Sequence, residues 1–62
     1  MDRRAELSST ASMLEDLRAR LADAGEGYRT DKAEDIASEL EEIERLIRTA
    51  TRRLDRLMPR LP

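Results

Sequence analysis

A chain of 62 residues with no cysteine and no histidine has room for one small domain, without disulfides and without the usual zinc ligands. Charged side chains make up 42% of it and aromatics 2%, at a net charge of −2; that composition reads as long helix or coiled coil. No apolar run approaches the roughly 18 residues of a membrane span, and no leader-like segment opens the sequence, so the expectation is a cytoplasmic protein.

The first predicted element is a helix over about residues 3–24. Asp2 is a suitable N-cap, and Leu7, Thr10, Leu14, Leu17, Leu21 and Ala24 follow at alternating steps of three and four. The run Ser8-Ser9-Thr10-Ala11-Ser12 is its weak point, because small hydroxyl side chains compete for backbone hydrogen bonds. Two readings stay open: one continuous helix, or a helix starting at Ser12 with Glu15 in the capping-box position.

Gly25-Glu26-Gly27 then reads as a helix stop, with residues 25–30 as a glycine-containing loop. Tyr28, the lone aromatic, is expected to cap the end of the hairpin over Leu21 and Ile36 or to meet a partner. Asp31 and Glu34 offer a capping-box-like start to a second helix over about residues 31–58, and a short tail at 59–62 is bounded by Pro59 and Pro62.

The second helix carries the strongest pattern in the chain. Ala33, Ile36, Leu40, Ile43, Ile47, Ala50, Leu54, Leu57 and Leu61 keep a mean period of about 3.5 residues, which predicts a coiled-coil seam. The fold class that follows is all-α: a two-helix antiparallel hairpin of coiled-coil type spanning residues 1–62. Its seam residues are Leu7, Leu14, Leu17, Leu21, Ile36, Leu40, Ile43, Ile47, Leu54, Leu57 and Leu61. Two helices leave such a seam half covered, so dimerisation into a four-helix bundle is expected.

A turn near residue 27 sets Leu21 beside Ile36 and Leu14 beside Ile43. The first helix then runs out opposite residue 53, leaving Leu54, Leu57, Met58 and Leu61 overhanging. Charge is also polarised. Asp31, Glu34, Asp35, Glu39, Glu41, Glu42 and Glu44 precede Arg45, Arg48, Arg52, Arg53, Arg56 and Arg60. Part of this is helix-dipole bias, but it also favours a homodimer whose hairpins run antiparallel, end to end.

Function classes narrow accordingly. General acid–base or nucleophilic chemistry wants a histidine, a cysteine or an activated serine in a concave site, so the protein is expected to be no enzyme and to need no cofactor or metal. The acids of the second helix, Glu34, Glu41 and Glu44 among them, read as a solvated face. Arg45, Arg48, Arg52 and Arg56 form a stripe and a candidate face for an acidic partner or a nucleic acid. The competing reading is a solvated face with pairs such as Glu41–Arg45 and Glu44–Arg48. The basic tail from Arg52 to Leu61 suits an anionic membrane surface less well than it suits continued helix packing.

In length, hairpin and expected pairing the chain resembles the Rop-type plasmid regulators, four-helix-bundle dimers that bind paired RNA loops, although no residue motif is shared. Ala37-Ser38-Glu39-Leu40-Glu41 keeps only Glu and Leu of the Ser-Gln-Glu-Leu-Asp signature of the sporulation aspartyl-phosphate phosphatases, so that activity is not implied. The leading expectation is a non-enzymatic, self-associating helical module for protein–protein interaction or assembly, with another helical or acidic protein as a further partner. A small Rop-like RNA- or DNA-binding regulator is the alternative.

Overall fold

The computed structural model describes residues 2–62. It is a helical hairpin: α1 spans Arg3–Thr30, α2 spans Glu34–Leu57, and a 3-10 turn, Met58–Arg60, closes the chain. The two helices lie along each other in a body of 48 × 17 × 11 Å. Its smallest dimension is that of one helix with side chains, about 10–12 Å, so the hairpin is one helix thick.

Asp2 caps α1 as its sequence position predicts, its carboxylate accepting from the Arg4 amide at 3.0 Å. The hydroxyl-rich run does not break the helix, and the Ser12 start is not used. Thr10 is accommodated by donating its hydroxyl to the Glu6 carbonyl four residues back, at 2.9 Å.

The expected stop at the glycines is overturned. Gly25 and Gly27 both lie within α1, and neither has a positive φ. The chain turns over Asp31, Lys32 and Ala33 instead. Ala33 donates to the Tyr28 carbonyl at 2.8 Å and Lys32 to the Arg29 carbonyl at 3.1 Å. This is the Schellman pattern, with Lys32 in the left-handed position at φ 64°. The capping box at Asp31 is also not formed: Ala33 is the N-cap of α2 and has no side-chain acceptor.

Moving the turn forward equalises the arms. The predicted overhang of Leu54, Leu57, Met58 and Leu61 therefore does not exist. The 3-10 turn packs back on α1, and Leu61 and Pro62 share one cleft with Asp2, Arg3, Arg4 and Leu7. Two glycines in a helix interior cost about 2 kcal/mol together, offset by the cover of Leu54, Met58 and Leu61, each half-buried, at about 25 cal/mol per Å² of apolar surface removed from water. Pro59 ends α2 because it lacks an amide donor, and the chain tightens into the 3-10 turn around it.

Candidate interaction surface

With Leu7 and Leu40 both assigned heptad position a, the residues of each helix fall into columns. The a column is Leu7, Leu14, Leu21 and Tyr28 on α1, Leu40, Ile47 and Leu54 on α2, and Ala33 and Leu61 flanking α2; all but the exposed Tyr28 are partly covered. The residues that complete the contact between the helices are those at e. Ala11, Arg18 and Gly25 on α1 and Ala37, Glu44, Thr51 and Met58 on α2 are buried or half-buried. Gly25 lies at the helix contact: a Cβ built there would lie 3.7 Å from the Leu40 Cβ.

Residues expected to fill the other half of the seam, at d, are exposed. Leu17, Ile36, Ile43 and Leu57 are each between 41% and 47% accessible. The physical reason is packing distance. A pair of helices closes more tightly over the small side chains at e than it would over the branched ones at d, leaving d on the flank.

The opposite flank is occupied by ion pairs. Arg18 holds Glu15 at 2.7 Å on its own helix and Glu44 at 2.8 Å across the hairpin, and Arg48 closes on Glu44 from one turn further along α2. Arg29 pairs with Glu34 and Glu41, and Arg45 with Glu42 at 2.8 Å. Glu44, expected on an outward face, is only 8% accessible. Hydrogen bonds from Arg18 first and Arg48 second hold its carboxyl below the usual carboxylate range. Glu15 is likewise held low, chiefly by its bond to Arg18. In return Glu15 and then Glu44 raise the pKa of Arg18, and Glu41 does the same for Arg29.

These pairs divide the predicted arginine stripe. Glu44–Arg48 forms as expected, whereas Arg45 bonds Glu42 and Glu41 goes to Arg29. Arg52 and Arg56 make no ion pair among the described residues. Arg56 lies instead beside Arg53 and Arg60 in an open cleft near Leu54 and Leu57, at the end where the termini meet. Arg18 and Glu44 are the cross-helix ion pair that the sequence did not suggest. The available signal was their place in two seven-residue series of mostly small residues, Ala11-Arg18-Gly25 and Ala37-Glu44-Thr51.

Because the pairs that cross between helices sit on one face, the d residues of both helices share the other face. That face carries Leu17, Ile36, Ile43 and Leu57, with Met13 (61% accessible) and Leu46 (62%) beside them. Among the described residues no helix is long and apolar enough to cross a membrane, and no three acids converge in a way that would hold a metal. No family model, curated protein or solved structure matches the chain.

Proposed function

We propose that the protein is a non-enzymatic helical module that works by self-association, two hairpins pairing into a four-helix bundle. One observation carries this reading: the hairpin has almost no interior of its own. Ala37 is the only buried hydrophobic side chain among the described residues, and seven large apolar side chains stand open to water. The accessible surface is 5020 Å². A folded monomer of this mass exposes about 4,100 Å². The excess, about 900 Å², is close to the roughly 800 Å² that each partner contributes to a standard interface.

Sedimentation and thermal melting across a range from low to several hundred micromolar test the reading. Melting temperature should rise with concentration, since pairing binds only the folded chain. A folded monomer at the highest concentration ends the proposal. Titrating a labelled structured RNA at two salt concentrations addresses the nucleic-acid alternative: tight binding with a steep salt slope would favour it.

A further inference from the structure

The geometry points to a specific interface within that self-association, on which this inference rests. The face bearing Leu17, Ile43 and Leu46 receives the same face of a second copy, with the two hairpins running in opposite directions. Three observations lead there.

The first is the column arrangement. In a four-helix bundle a and d point to the common axis, e faces the neighbour on one side, and g faces the neighbour on the other. Here e is already consumed within the hairpin: Ala37 is fully buried and Glu44 is 8% accessible. The d residues Ile36 and Ile43 are half-exposed, as side chains aimed at a missing second half would be. Leu46, at g, is more open still, at 62%, and no helix of this chain lies on that side. The ion-paired face of Arg18, Glu44 and Arg48 stays outside.

The second is position along the rod. Leu17 and Leu46 fall near the middle of α1 and α2 respectively. A two-fold axis through the centre of this face sets each copy's Leu46 against the other's, the self-complementary contact that a closed dimer requires. Buried apolar anchors at the centre of an interface are also where binding energy concentrates.

The third is charge. At g, beside Leu46, α2 carries Glu39 towards the loop end and Arg53 towards the open end, and neither forms an ion pair among the described residues. With the copies reversed, each α2 lies over the partner's α2 and these opposite ends meet. With the copies the same way round, each α2 lies over the partner's α1 and the Glu39–Arg53 match is lost. This retains the reversed orientation and the charge argument that the sequence suggested, without any overhanging leucines to support it.

Cysteine cross-linking tests it on the full chain. In the reversed dimer, Leu46→Cys places two thiols within the roughly 6 Å Cα separation a disulfide needs, so mild oxidation should make the self-linked dimer the main species. Ala19→Cys, on the outer surface of α1, should stay unlinked. If Leu46→Cys fails alone but links when mixed with Leu17→Cys, the copies share this face the same way round and the orientation is overturned. If the protein sediments as a dimer and only Ala19→Cys links, the face is wrong while self-association stands. If it sediments as a folded monomer, both fall, and a helix of another protein becomes the occupant of this face.

Discussion

The position of the turn can be tested by moving the glycines to where the backbone needs one. Gly27 is helical and exposed, and a Cβ added to it meets nothing within 4 Å. Gly27→Ala should therefore recover the helix propensity that glycine forfeits, about 1 kcal/mol, and raise the melting temperature by roughly 4–8 °C in a domain of this size. At Gly25 a Cβ would sit 3.7 Å from the Leu40 Cβ and 3.9 Å from the Ala37 carbonyl oxygen, both ordinary contacts. Gly25→Ala should thus gain a similar amount. Gly25→Leu should lose about 1–3 kcal/mol, because the atoms beyond Cβ have no space against α2. Lys32 is the mirror case. Its φ of 64° imposes roughly 1–2 kcal/mol of left-handed strain that Lys32→Gly removes. About 0.4–1 kcal/mol of that returns through a more flexible unfolded chain, leaving a small net gain. Thermal melts followed by circular dichroism at fixed protein concentration give the readout. A lowered melting temperature for Gly27→Ala together with a lowered one for Lys32→Gly would put the turn back at the glycines and refute the reasoning.

Two further outcomes follow from the same geometry. Glu44 and Glu15 have depressed carboxyl pKa values in the folded chain. Their contribution is therefore present above an ordinary carboxylate value near 4.5 and is lost as pH falls through the lower folded values. With no histidine in the chain, melting temperature should stay flat between pH 6 and 8 and drop in acid. Glu44→Gln should lower it at neutral pH and soften the acid drop, and an unchanged acid profile in that variant would count against the Arg18–Glu44–Arg48 network. Asp2→Ala removes the cap on α1 and should cost about 1 kcal/mol, seen as faster amide exchange confined to the first turn; faster exchange along the whole helix, or none, would contradict that.

Much of the architecture is determined by the sequence alone, because it depends on features that act locally. The three-four spacing through Leu40, Ile47, Leu54 and Leu61 dictates helix and the a column, Asp2 supplies the cap, and Pro59 ends α2 by lacking a donor. Tertiary structure decided two things that local signals could not. One is the turn. A glycine tolerates both a left-handed cap and a helix interior, at a difference near 1 kcal/mol, and the coverage of Leu54, Met58 and Leu61 by a longer α1 outweighs it. The other is which flank of the seam closes. Hydrophobicity favours the column of Ile36, Ile43 and Leu57, but the helices meet over Gly25 and Ala37, and the Arg18–Glu44 bond forms on that side. The choice depends on the distance between the helices, a quantity that exists only once both are in place. It leaves the more apolar column facing outward.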